Sequence, residues 1–151
     1  MTSEAIDQVR ASYTEVAARP RQLASRFYQE LFATSPQLRP LFPGDLTSLQ
    51  GHFEAALALV IRNLDEMRAL RESLRELGAQ HVHWGTRPED YAAAREALIA
   101  TVRALAPAWN DTLEQHWRTA ITAIIVPMLE GAAVDAAVWA ERLAAGSPEI
   151  D

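Results

Sequence analysis

The chain contains no cysteine. Disulfides, thiolate metal sites, iron–sulfur clusters and thiol catalysis are therefore excluded together. Catalytic signatures are scarce as well, since no G-x-S-x-G, no H-E-x-x-H and no glycine-rich phosphate loop occurs. Hydrolase, metalloprotease and kinase chemistry thus lack support. The side chains that remain as possible metal ligands are histidine, carboxylate and tyrosine.

Long apolar runs are missing too. The longest uninterrupted one, residues 55–61, is far shorter than the ~18 residues that a membrane-spanning helix needs. Residues 1–7 have neither the cationic start nor the apolar block of a secretory signal. We therefore expect a cytoplasmic protein with no membrane partner.

Positive charge is in deficit, with 14 Lys and Arg against 20 Asp and Glu and a net charge of −6. A net negative charge repels the phosphate backbone of a nucleic acid, and we expect no nucleic acid partner. With 49% hydrophobic residues in 151, the composition predicts one globular domain over 1–151. Its core is predicted over about 4–131.

Apolar residues recur at steps of three and four, and no stretch alternates with period two, which predicts an all-α protein. Ser3 is the predicted cap of a first helix that stops before Pro20. A second helix buries Phe27 and Tyr28, and a short third one follows Ser35. Turn chemistry at residues 43–45 then predicts a mobile corner.

Two amphipathic helices follow this corner. The first begins at Thr47 or Ser48, and its apolar stripe consists of Leu49, Phe53, Ala56, Leu57, Val60 and Leu64. The stripe of the second consists of Met67, Leu70, Leu74, Leu77 and His81. His81 therefore lies among leucines, and a ring nitrogen there needs a partner. Most such histidines are core residues bonded to a helical carbonyl, and that alternative stays open.

Two long helices and a short one complete the prediction. One starts at about Pro88 and buries Tyr91, Ala94, Leu98, Val102 and Leu105. The next is capped by Asn110 or Asp111, is kinked by Pro127 and ends near Gly131, with Leu113, Trp117, Ala120, Ile124 and Met128 inward. A short terminal helix is predicted at about 135–145.

Four segments give these helices a family resemblance by their order and spacing. They are residues 27–32 (FYQELF), residues 36–42 (PQLRPLF), residues 77–85 (LGAQHVHWG) and Tyr91, ten residues after His81. In these features the sequence resembles a globin, in particular the single-domain bacterial globins that look like the oxygen-binding half of flavohemoglobins. The resemblance covers about residues 4–129. It implies the globin fold, with helices packed three-on-three around heme b.

The resemblance also implies a heme site between the helices of residues 49–64 and 70–81. His81 occupies the position of the proximal iron ligand, and this register excludes His83. His116 is expected at the surface or in a structural role. The residues expected to contact heme are Phe42, His52, Phe53, Leu57, Leu77, His81, Trp84, Arg87, Tyr91 and Leu98.

On the distal side, the resemblance places Tyr28 as the donor to a bound gas, with Phe27 beside it. Family spacing counted back from His81 puts Leu49 over the iron and Phe53 one turn later. If the corner carries an insertion, His52 moves over the iron instead and becomes a sixth ligand. Ordinary core packing is the alternative for Phe42 and Tyr28.

On the proximal side, flavohemoglobins polarise the axial histidine with a tyrosine and a glutamate. Tyr91 matches the tyrosine, but the glutamate position falls near Ala132, and Glu130 comes two residues early. His81 is then expected to donate to a carbonyl of its own helix, such as that of Leu77.

The resemblance leads to one function and two alternatives. The first is reversible binding of O2 or another diatomic gas, NO or CO, for oxygen storage or transport. The second is nitric oxide dioxygenase or peroxidase-like activity supported by an external reductase. The third is a gas-sensing or heme-free globin that acts through protein contacts.

Overall fold

The computed structural model describes residues 1–42 and 44–132, and these residues form α-helices and short 3₁₀ helices without any strand. The predicted all-α class is confirmed. The α-helices are α1 (Ser3–Val16), α2 (Gln22–Thr34), α3 (Thr47–Arg62), α4 (Met67–His83), α5 (Pro88–Leu105) and α6 (Asp111–Gly131). Short 3₁₀ helices at Pro36–Leu41 and Leu64–Glu66 precede α3 and α4. The terminal helix predicted at 135–145 lies outside the described residues.

Capping side chains define two of the helix starts. The hydroxyl of Thr2, not that of Ser3, accepts the N–H of Ala5 at 3.1 Å, so the predicted cap is one residue too late. The predicted cap of α6 is confirmed, because Asn110 Oδ1 accepts the N–H of Leu113 at 2.8 Å. Each oxygen satisfies a main-chain donor that the helix itself leaves unpaired.

The core is built mainly from the predicted stripes. Trp117 is fully buried in α6, and its indole N–H donates to the hydroxyl of Ser12 in α1 at 2.9 Å. Two predicted inward positions are corrected: Ala56 is exposed, and Ile124 is half-buried while Ile121 and Ile125 on either side are buried. The other predicted inward residues of α6, Leu113, Trp117, Ala120 and Met128, are buried, so the predicted face of this helix is otherwise confirmed.

The helix that carries His81 packs most closely on α6. A Cβ atom added to Gly78 of α4 would overlap the main chain of Met128, and one added to Gly131 would overlap the main chain of Arg75. Helix backbones approach this closely only where a side chain is missing. The two glycines thus fix the position of α4.

The helix α3 packs elsewhere. It contacts α1 and α2, whereas α3 and α4 do not pack closely on each other. Both helices nevertheless have apolar stripes, and these stripes do not pack closely on each other.

None of the described helices is long and apolar enough to cross a membrane.

Candidate heme site

The sequence of α4 fixes the orientation of the His81 ring. Its Nδ1 atom lies 2.8 Å from the carbonyl oxygen of Leu77, one turn earlier. A carbonyl can only accept, so Nδ1 carries the proton and Nε2 keeps its lone pair. The predicted bond to Leu77 is confirmed, and it leaves Nε2 in the form that binds a metal.

Burial sets the protonation state of His81. Desolvation lowers the pKa of its imidazole below the ordinary value of 6.5, and the hydrogen bond to Leu77 raises it by less. The ring is therefore neutral at neutral pH. Its neighbours are aromatic: the ring centroid of Trp84 is 5.1 Å away and that of Tyr91 is 6.1 Å away.

Two buried oxygen atoms, one on α5 and one on α6, lack a hydrogen-bond partner among the described residues. The hydroxyl of Tyr91 and the Oε1 atom of Glu130 are both buried and make no hydrogen bond among the described residues. Burial, followed by the nearby Asp90 carboxylate, raises the pKa of Tyr91 to about 12. The second oxygen of Glu130 forms an ion pair with Arg71 of α4. Buried polar atoms normally have partners, so the Tyr91 hydroxyl, which has none among the described residues and whose ring lies beside His81, marks this region as a candidate site.

The distal residues form a cluster of aromatic rings. Phe27 of α2 stacks on Phe53 of α3, with centroids 4.4 Å apart and planes 9° from parallel. Tyr28 packs against the rings of Phe27, Phe53 and Phe42 with centroid distances of 5.2, 6.0 and 5.4 Å. We call these rings, together with Phe32, the aromatic cluster. Burial raises the pKa of the Tyr28 hydroxyl, which is therefore a donor at neutral pH.

The remaining predicted site residues divide into two groups. Leu57 and Leu98 are buried, while Leu49 and Leu77 are half-buried. In contrast, His52 and Trp84 are exposed, and Arg87 pairs with Glu89 at 3.1 Å. The leucines are thus at least half-buried, whereas His52, Arg87 and the aromatic Trp84 lie at the surface. His83 is exposed and His116 is half-buried, as expected for residues outside the site.

The two aromatic regions meet at the corner that precedes α3. Gly85, which follows Trp84, has a φ of +94°, and a Cβ atom there would lie 3.1 Å from the side chain of Leu41. Leu41 is the neighbour of Phe42, so the turn after His81 is packed beside the edge of the aromatic cluster. The turn after α4 therefore contacts the segment that leads into α3.

The donor set fits a heme. A single imidazole nitrogen is available at His81, apolar side chains line α3 and α4, and no three His, Asp or Glu side chains gather into a metal site within the described residues. A porphyrin supplies its own nitrogen ligands and needs one axial side chain and an apolar slot.

Comparison with known proteins agrees with this geometry. A family model described as Globin matches residues 25–128, which is more than half of the chain. The chain therefore belongs to the globin family. A flavohemoprotein of Vibrio cholerae is 27% identical over 125 residues, which are 80% of this chain and 32% of the relative. An anaerobic nitrite reductase of Gossypium hirsutum is 24% identical over 130 residues, covering 76% of this chain and 80% of the relative.

Solved structures show the same fold. A Pseudomonas aeruginosa protein, described as structurally highly homologous to a human hemoglobin, matches with a TM-score of 0.74 and 26% identity over 84% of this chain and 97% of that one. A bacterial globin from Campylobacter jejuni matches with a TM-score of 0.72 and 20% identity over 87% and 96% of the chains. The predicted globin fold is confirmed. The chain spans about a third of the length of the flavohemoproteins that it matches.

Some residues of the site were not singled out from the sequence. Phe32 belongs to the aromatic cluster, 5.9 Å from Tyr28, and its spacing of four residues from Tyr28 was the available signal. The ion pair of Glu130 with Arg71 joins two helices far apart in sequence. No local pattern could have indicated it.

Proposed function

We propose that the protein binds one heme b between α3 and α4, with His81 Nε2 as the axial ligand, and that it binds O2 or another diatomic gas reversibly. The observation that carries the proposal is the Leu77 carbonyl on Nδ1, which fixes the tautomer and orientation of the ring and leaves Nε2 free to bind a metal. When bound, the heme supplies the iron at which the gas binds.

The chain's own residues provide orientation and an apolar environment. Leu77 holds the axial imidazole, and burial lowers the pKa of His81 so that few protons compete for Nε2. The aromatic cluster excludes water from the distal side. Tyr28 is placed there with a protonated hydroxyl, which can donate to the gas ligand.

The heme edges are assigned on the same basis. Phe42, Leu57 and Leu98 are proposed as apolar contacts, since they are buried or half-buried around the two faces. His52 and Arg87 lie at the surface, where a positive charge can pair with a propionate. Arg87 would then exchange Glu89 for the propionate.

A hemin titration of the purified protein tests the assignment. We expect one equivalent to produce a Soret band, and His81→Ala to remove axial ligation in the ferrous–CO spectrum. His83→Ala is the matched control, because His83 is exposed two residues further along α4. A wild-type protein that takes up no hemin, or an unchanged spectrum in His81→Ala, would overturn the proposal.

We propose nitric oxide dioxygenation as a second candidate function. It is supported by Tyr91, whose ring centroid lies 6.1 Å from that of His81 and whose buried hydroxyl has no hydrogen-bond partner among the described residues, since such a group beside an axial imidazole can tune its electron density. The balance of the reaction is NO plus O2 plus one electron to nitrate, so turnover needs an electron donor, which we propose is a separate reductase. We also propose that the protein is located in the cytoplasm.

Rapid mixing of the O2-loaded ferrous protein with NO tests this function. We expect stoichiometric nitrate, and a slower reaction in Tyr91→Phe than in Tyr13→Phe, a partly buried tyrosine of α1 outside the site. Reversible O2 binding without nitrate formation would exclude the second function and leave the first.

A further inference from the structure

The N-terminus of α2 lacks a cap of its own. Arg21 occupies the N-cap position with a φ of +67°, and its side chain makes no capping hydrogen bond. The first N–H groups of any helix have no partner within the helix and need an external acceptor. The helix that carries Phe27 and Tyr28 therefore depends on another part of the chain at its first turn.

Glu54 of α3 supplies that acceptor. Its Oε1 atom accepts the N–H of Arg21 at 3.1 Å, and its Oε2 atom accepts the N–H of Ala24 at 2.9 Å. These are the donors of the N-cap and N3 positions, which a capping box normally satisfies with side chains of the same helix. A negative charge there also interacts favourably with the positive end of the helix dipole.

The cap lies next to the aromatic cluster on both helices. On α3, Glu54 directly follows Phe53. On α2, Ala24 precedes Phe27 and Tyr28 by three and four residues, which places these residues on the same side of the helix. The Phe27–Phe53 stack at 4.4 Å and the Glu54 cap therefore form one continuous junction between α2 and α3.

The N-terminal half of α3 has few other anchors. No residue from Thr47 to Ala56 is fully buried, whereas Leu57, Val60 and Ile61 in the second half are. The far end of the helix is held separately, because Arg10 donates to the carbonyls of Ile61 and Arg62 at 3.1 and 2.7 Å. The position of Phe53 is thus controlled near Glu54 and not from the C-terminal end.

We propose that Glu54 is a positioning residue of the distal pocket, whose carboxylate fixes Phe53 of α3 against Phe27 and Tyr28 of α2. Through that junction it sets the direction of the Tyr28 hydroxyl toward the gas ligand. The second part rests on the proposed heme function. The carboxylate itself does not touch the ligand.

The first experiment needs no heme. In Glu54→Gln, which keeps the side-chain shape but replaces one acceptor oxygen with a donor, we expect faster hydrogen exchange at the Ala24 amide and weaker nuclear Overhauser contacts between the Phe27 and Phe53 rings. In Glu54→Ala we expect still faster exchange at the Ala24 amide and still weaker contacts between the two rings. Unchanged ring contacts in both variants would overturn the positioning role, whether or not the protein binds hemin.

The second experiment uses the heme-loaded protein. We expect Glu54→Gln to broaden or shift the C–O stretching band and to speed O2 dissociation by about two- to tenfold, the range that weakening of one hydrogen bond spans, with CO dissociation much less affected. Arg10→Ala is the matched control, since it removes the anchor at the other end of α3. If Glu54→Gln keeps the wild-type ratio of the O2 and CO dissociation rates, the cap is merely structural. If Arg10→Ala changes the C–O stretching band and the O2 dissociation rate as much as Glu54→Gln does, the variants loosen the protein in general. Either result overturns the proposal while heme binding stands.

Discussion

Gly78 of α4 lies against the main-chain carbonyl of Met128 in α6, so closely that a methyl group on Gly78 would overlap it. The neighbouring atoms belong to a helix backbone, which cannot move aside as a side-chain end can. The glycine therefore sets how near the helix that carries His81 comes to α6.

We predict that Gly78→Ala destabilises the protein by about 3 kcal/mol, near the upper end of the usual cost of overpacking. Gly51→Ala is the control, because a Cβ there meets no atom within 4 Å. Since alanine favours a helix over glycine by about 1 kcal/mol, this control should be neutral or slightly stabilising. Urea unfolding of both variants measures the difference, and equal midpoints would contradict the close packing.

Much of the fold was accessible from spacing alone. The stripe of Leu74, Leu77 and His81 and the start of α5 at Pro88 were predictable because helical period and proline chemistry act locally. The α4–α6 approach was not, since Gly78 in the sequence does not reveal that Met128 lies beside it. Ala56 shows the same limit: it belongs to the apolar stripe, but none of the elements in the described part of the chain covers it.

Some residues of the candidate site were likewise predictable from the sequence, and others were not. His81 was identified by its family segment, and its bond to Leu77 follows from helix geometry. The Glu54 cap and the Glu130 pair with Arg71 depend on contacts between helices, which one sequence does not show. Local patterns led to the prediction of His81 as the ligand, whereas the contacts of Glu54 and Glu130 are visible only in the packing of the helices.

For Tyr28→Phe we predict O2 dissociation faster by about ten- to a hundredfold, since a hydrogen bond lost inside an apolar pocket costs roughly 1 to 3 kcal/mol. CO is a poorer acceptor, so its dissociation should change much less. Stopped-flow or flash-photolysis rates for both gases give the comparison, with Tyr13→Phe as the control. Equal effects on the two gases would mean that Tyr28 only packs in the aromatic cluster.

The titration of His81 predicts a pH dependence for the heme-free protein. Its folded-state pKa is lowered by burial, so the unfolded chain takes up the proton first as the pH falls below 6.5. Stability conferred by the neutral ring is complete above that value and is lost as the pH falls toward the folded-state pKa. Urea midpoints at about pH 7.5 and about pH 5.5 should therefore differ less in His81→Gln than in wild type.

The same measurement on His83→Gln provides the control, because its ring is exposed. Carboxylates whose pKa is lowered by arginine partners, such as Glu96 beside Arg118, lose their contribution at lower pH in all variants alike. If His81→Gln keeps the full wild-type decrease, the imidazole is not the group responsible.

The last prediction concerns which α3 side chain lies over the iron. His52 is exposed, whereas Leu49 is half-buried and belongs to the apolar face that carries Phe53. We therefore predict that His52→Ala leaves the spin state of the hemin-loaded protein unchanged and only weakens heme retention slightly. In contrast, Leu49→His should introduce an imidazole over the iron and give a low-spin spectrum without added ligand. Such a ligand competes with gas, so apparent gas affinity would fall by the fraction of protein left open. Optical and electron paramagnetic resonance spectra of the two variants distinguish the registers, because a low-spin wild type that becomes high-spin in His52→Ala would place His52, and not Leu49, over the iron.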